Sequence, residues 1–136
     1  MTNLIEKILI IGFGIFLLIS FLTIINPFID LFARYDFYQE KYEKTIDNIN
    51  LIDSSIRYSI NQNRSYCQEI SIYQDLNISI EKIQIKYEFF INKKDNLVLT
   101  YDRMMIDEFY SLHSKSNYLL NVTFLTSILI KFQILE

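Results

Sequence analysis

Glycine, proline and alanine are nearly missing from these 136 residues: Gly12, Gly14, Pro27 and Ala33 are all the sequence contains of them. With both glycines inside one apolar run, no glycine-rich loop is left to cradle a phosphate, and a nucleotide site of that kind is excluded. Cysteine is represented by Cys67 and histidine by His113. A lone thiol cannot close an internal disulfide, and one Cys with one His cannot furnish a usual structural zinc site. Basic charge is also scarce. The formal net charge of -3 supplies no patch able to neutralise several phosphates, so no nucleic acid partner is expected. Charged residues amount to 21% against 51% hydrophobic, which is not the balance of a disordered chain.

What is plentiful is Ile, Asn, Tyr and Phe, residues of AT-rich codons, so the asparagine content by itself carries no functional meaning. The dominant feature lies near the N-terminus. From Ile8 to Ile29 there are 22 residues without a charge, bounded by Lys7 and Asp30. As a helix this run would extend about 33 Å, enough for a hydrocarbon core of about 30 Å. It is apolar all round, whereas a surface helix of a soluble protein needs a polar face. A buried core helix is the alternative. Removal of the run leaves only about 105 residues, one modest domain, with which to surround it. A cleaved secretory signal is the other rival; the run is long for one, and Asn26-Pro27-Phe28 offers no small-x-small cleavage pattern. The expected organisation is a short cytoplasmic tail (1–7), a transmembrane helix (8–29), an amphipathic helix (30–60) and a β-rich extracytoplasmic domain (66–136). Membrane lipid is the first expected partner.

Orientation is contested by two arguments. Counting Lys and Arg alone, Arg34, Lys41 and Lys44 after the run outweigh Lys7 before it, which favours a cytoplasmic C-terminal domain. Against this, a seven-residue tail is easily retained inside, and the remainder has the character of an exported domain. Three N-x-[ST] triplets make Asn63, Asn77 and Asn121 candidate N-glycosylation sites. With 11 Asn and 17 Ser plus Thr, about one such triplet arises by chance.

After the run, Phe28, Leu31, Tyr35, Tyr38, Tyr42, Thr45, Ile49, Ile52 and Ile56 recur in steps of three and four, a single helical seam. The seam can pack on the chain's own sheet or meet another subunit as a coiled coil. Pro27 removes a backbone donor at the start of this stretch and is a candidate kink. From Tyr66 the period becomes two. Ile70 and Ile72 form one alternating set and Leu76, Ile78 and Ile80 a second; after a change of phase at Glu81-Lys82, Ile83, Ile85, Tyr87, Phe89 and Ile91 form a third. Asn92 to Asn96 is a polar turn leading into Leu97–Tyr101. Residues 102–112 fit a strand or a short helix, His113 to Asn117 reads as a loop, and strands follow near Tyr118–Phe124 and Ser127–Leu135. The fold class is therefore α+β, with an N-terminal transmembrane helix, an amphipathic continuation and a small antiparallel sheet or sandwich.

Chemistry is hard to find. His113 stands beside Ser111 and Ser114, but a triad needs an oriented base and an aligned nucleophile, which sequence proximity does not provide. Asp102, Asp107 and Glu108 would form a metal or acid–base site only if the fold converged them; otherwise they are solvated charges. Cys67 is expected as a small packed strand residue. Gly12-Phe13-Gly14 suits close helix contact in a membrane. No catalytic residue, cofactor, metal or small-molecule substrate is expected.

The order of an apolar N-terminal helix, an amphipathic continuation carrying Leu51-Ile52-Asp53-Ser54-Ser55-Ile56-Arg57, and strands to the chain end resembles archaeal type IV pilin-like and archaellum accessory (stator) proteins. Bacterial minor pseudopilins share this architecture. The resemblance is one of whole-chain layout. It implies a non-enzymatic protein with its helix in the membrane or filament core and its β-domain exposed to the envelope, often glycosylated. The chain departs from the pattern at Glu6-Lys7-Ile8, where no basic residue plus Gly or Ala offers a prepilin peptidase site. That departure favours a permanently anchored accessory subunit over a processed, polymerising one. The expected function is a structural or interaction subunit of a surface filament, secretion or envelope assembly; the alternative is a small accessory subunit of a membrane enzyme or transporter complex.

Overall fold

The structure, a computed structural model, describes residues 2–135. It is α+β: one long helix, α1 (Thr2–Gln62), followed among the described residues by seven strands in two antiparallel sheets. The chain divides into two compact units at the Phe37–Tyr38 peptide, each described by itself. Of the tail assigned to residues 1–7, Met1 lies outside the described residues and the rest is the start of α1.

In the first unit the long apolar side chains from Leu4 to Phe37 are exposed, save Ile25, which is half-buried. The hydroxyls of the run bond internally. The hydroxyls of Ser20 and Thr23 donate to the carbonyls of Phe16 and Ile19, each at 2.8 Å, the back-bonding pattern of hydroxyl residues in helices. Helical structure continues through Pro27 without interruption.

In the second unit the helical seam turns inward. Thr45, Ile49, Ile52, Ile56 and Ile60 are buried, joined by Ser55 and Ser59. α1 ends in a left-handed residue, Asn63 (φ 51°). The amide of Arg64 donates to the Ser59 carbonyl and that of Asn63 to the Ile60 carbonyl, both at 3.2 Å. These are the paired bonds of a Schellman cap, with asparagine where glycine is commonest. Ser59 Oγ closes the turn by donating to the Arg64 carbonyl at 2.6 Å.

The strands are β1 (Tyr66–Ile72), β2 (Leu76–Glu81), β3 (Gln84–Phe90), β4 (Lys94–Thr100), β5 (Glu108–Leu112), β6 (Ser116–Phe124) and β7 (Ile128–Leu135). One sheet has the order β1-β6-β7 and the other β4-β3-β2-β5. Alternate residues of each sheet enter a shared core with the helix: Ile70 and Ile72; Leu76, Ile78 and Ile80; Ile85, Tyr87 and Phe89; Tyr118, Leu120 and Val122. The phase change at Glu81-Lys82 is a tight β2–β3 turn with Lys82 at φ 48°, its amide held by Asp107 Oδ1 at 2.8 Å.

Three local expectations are corrected. Ile83 and Ile91 do not extend the alternation of β3; both lie in turns, and Ile83 is exposed. The polar turn is shorter than Asn92–Asn96, because Lys94, Asp95 and Asn96 already belong to β4, in register with Phe90, Phe89 and Glu88. A cross-strand ion pair explains this: Glu88, already joined to Lys86 on its own strand at 2.6 Å, takes Lys94 of β4 at 3.2 Å. Residues 102–112 contain no helix; β5 pairs with β2, and Met105 makes an isolated parallel bridge to Ile128.

The sheet edges are treated differently. Along β1, Asn48 from the helix donates to the Ser71 carbonyl and accepts from the Tyr73 amide, each at 2.9 Å. Its side-chain amide thus takes the place of a neighbouring strand. At the start of β7, Ile128 exchanges bonds with Met104 and Ile106, both 2.9 Å, and the Tyr110 hydroxyl donates to the Ile130 carbonyl at 2.9 Å.

Candidate functional site

The apolar helix is the most distinctive surface. By length and composition it can cross a membrane, and none of its most apolar window is buried. Nothing within the chain approaches the positions where a Cβ on Gly12 or Gly14 would stand, so this face is open to contact from outside. The seam residues Phe28, Leu31 and Tyr35 are exposed as well. The seam therefore divides: Tyr42 meets the Phe89 ring and from Thr45 onward the seam packs on the chain's own sheets, whereas Phe28, Leu31 and Tyr35 are exposed.

In the β-bearing unit a surface ion pair meets two buried tyrosines. Arg57 makes a bidentate contact with Asp53, Nε lying 3.0 and 2.9 Å from its two oxygens. The Tyr101 hydroxyl donates to the same carboxylate at 2.8 Å, and the guanidinium carbon lies 4.9 Å from the Tyr101 ring centre. Below them Tyr87 is wholly buried. Its hydroxyl has no hydrogen-bond partner among the described residues. Tyr101 is its neighbour and influences its ionisation, but the two hydroxyls do not meet in hydrogen-bond geometry. Burial pushes the Tyr87 phenol far above its ordinary value; Tyr101 is raised too, by burial first and then by the Tyr87 phenol and Asp53. Beside the cluster lies an open cleft of about 410 Å³ lined by Arg57, Ile60, Asn61, Thr100, Tyr101 and Asp102. Arg57 is neutralised by Asp53 and the tyrosines are protonated, so the cluster is built to hold the helix against β3 and β4 and presents no nucleophile with an adjacent base.

The residues weighed for chemistry are dispersed into structural tasks. The His113 amide donates to the Tyr118 hydroxyl at 2.9 Å, and Ser114 donates its amide to Asp75 at 2.7 Å. That bond holds the Asp75 carboxyl below its ordinary range. Asp107 secures the β2–β3 turn, Asp102 borders the cleft, and Glu108 opens β5 opposite Ile80. Among the described residues no three of His, Cys, Asp and Glu gather to hold a metal. Cys67 is exposed, contrary to the packed position expected. On β1 the even-numbered residues point inward, ending in buried Ile70 and Ile72, so parity turns Cys67 outward.

Asn63 and Asn77 are exposed and Asn121 is half-buried in the central strand of its sheet. Asn63 is also the helix-capping residue, a role that its left-handed φ explains. Sequence reasoning missed the Tyr101–Asp53 contact. Its visible trace is the i,i+4 spacing of Asp53 and Arg57, which signals a helical ion pair but not the strand residue that joins it. Compared with protein-family models, curated proteins and solved structures, the chain matches none.

Proposed function

We propose that this chain is a single-pass membrane protein in which the first part of α1 is the anchor and the β-bearing unit works outside the cytoplasm as a structural or interaction subunit of a surface filament, secretion or envelope assembly. The observation that carries the reading is the uncharged stretch Ile8–Ile29, helical and exposed on all sides. Such a surface is unstable in water, at about 25 cal/mol for each Å² of apolar area left wet, and lipid or a partner helix removes that cost. The internal bonding of Ser20 and Thr23 supports it, because polar groups in hydrocarbon need partners within the protein. The dispersal of the titratable residues supports an interaction role over catalysis, and the layout resembles pilin-like and archaellum accessory proteins.

Carbonate extraction tests the anchor: the full chain is expected to remain with the membrane pellet, and release into the soluble fraction would refute it. Sidedness is tested on intact cells or spheroplasts with an epitope after Glu136. External protease is expected to remove the epitope. Its protection would place the domain in the cytoplasm, where the count of Arg34, Lys41 and Lys44 favours it, and would end the pilin-like reading.

A further inference from the structure

The edge of β7 is an open edge of the β-bearing unit. On β1, Asn48 takes the Ser71 carbonyl and the Tyr73 amide at the C-terminal end of the strand, β4 carries Lys94 and Asp95, and β5 is only five residues long. In β7, Ile128 turns both its backbone groups away from β6, towards Met104 and Ile106. By the alternation of an antiparallel ladder, Ile130, Phe132 and Ile134 do the same. Ile130 offers its carbonyl to Tyr110. The N–H and C=O groups of Phe132 and Ile134 have no partner among the described residues. Their side chains share the core-facing side with Leu120 and Tyr118, which they oppose in register. Leu120 and Tyr118 are buried, yet Ile134 is 56% exposed. At Ile134 unpaired backbone and an exposed apolar side chain thus coincide, a combination that soluble domains ordinarily guard against, while Phe132 is half-buried with its ring edge-on to Tyr110.

We propose that this edge pairs with the same edge of a second copy, antiparallel about a two-fold axis through Gln133. Phe132 then lies opposite Ile134 of the second copy, and the backbone groups that point outward at each meet one another. The segment is self-complementary in this register. Apolar Phe132 and Ile134 meet on the core side, Gln133 faces its own counterpart on the outer side, and Lys131 faces Leu135, so no like charges are opposed. The contact is isologous and closes on itself. It does not depend on the membrane reading.

Gln133 faces its counterpart as a non-hydrogen-bonded pair, with Cα atoms about 4.5 Å apart, inside the range a disulfide spans. The experiment uses the full chain with Cys67→Ser and either Gln133→Cys or Lys131→Cys, both at exposed positions, under mild oxidation. Gln133→Cys is expected to cross-link into a dimer. Lys131→Cys is expected not to, since its counterpart lies four residues away along the strand, about 13 Å. Adding Ile134→Pro removes from each copy an N–H that β6 does not use, two inter-copy hydrogen bonds in all, and is expected to lower the Gln133→Cys dimer about tenfold or more. Equal cross-linking at both positions, a folded Gln133→Cys protein that stays monomeric, or capture of a different protein in place of a second copy would each overturn the proposal.

Discussion

Replacing Tyr87 by Phe removes one oxygen from the middle of the core, and the structure fixes the sign of the result. The Tyr87 ring is fully buried on β3 between the helix and the sheet, and its hydroxyl, beside that of Tyr101, meets no hydrogen-bond partner in good geometry among the described residues. A buried hydroxyl left unpaired costs about 1–3 kcal/mol in desolvation, and the ring's apolar contacts survive in phenylalanine. Tyr87→Phe should therefore stabilise the protein, by about 1 kcal/mol once the small void is allowed for. In a domain of this size that raises the melting temperature by about 4–8 °C. The contrast is Tyr101→Phe, which deletes the 2.8 Å bond to Asp53. Bonds to charged groups contribute about 1.5–3 kcal/mol, so this change should lower stability. Thermal melts of the full chain in detergent, followed by circular dichroism, compare the two. A loss of more than about 1 kcal/mol in Tyr87→Phe would mean that the hydroxyl is hydrogen-bonded after all, and the account of the cluster would fail.

Two further outcomes follow from the packing and the ionisation of the same core. Ile56→Ala, at a helix residue with no exposure, should cost about 2–5 kcal/mol; a change under 1 kcal/mol in denaturant melts would show that the seam does not pack on the sheets. At alkaline pH the phenols of Tyr87 and Tyr101 stay protonated in the fold while unfolded tyrosines ionise near pH 10. Stability contributed by the raised values is complete below that pH and is lost as pH rises above it, by up to about 1.4 kcal/mol per pH unit for each fully shifted group. Denaturant midpoints between pH 8 and 12 should show a slope that is reduced in Tyr87→Phe. An unchanged slope would contradict the burial argument.

The changes of hydrophobic period were legible in the sequence because they report side-chain geometry directly. The seam from Thr45 to Ile56, the β2–β3 turn at Glu81-Lys82 and the inward faces of β1, β2 and β3 all follow from spacing. Ile83 and Ile91 misled because an isoleucine in the right phase looks the same in a strand and in the turn beside it. Asn92–Asn96 misled because low strand propensity was outweighed by the pairing of β4 with β3 and the Glu88–Lys94 ion pair, contacts made across the sheet. Strand order was not legible: β1 pairs with β6 across an intervening sheet, and no local pattern encodes such a choice. The Tyr101–Asp53 bond and the outward position of Cys67 depend on that same long-range register.

Asn48 bears on how much of the β1 edge another strand could use. By occupying the Ser71 carbonyl and the Tyr73 amide, one helical side chain ties down the C-terminal end of that edge and shortens the ladder it can offer. Asn48→Leu would leave those groups unsatisfied and lengthen the stretch of β1 open to pairing. The helix thus sets the usable length of a sheet edge without altering a residue of the strand itself.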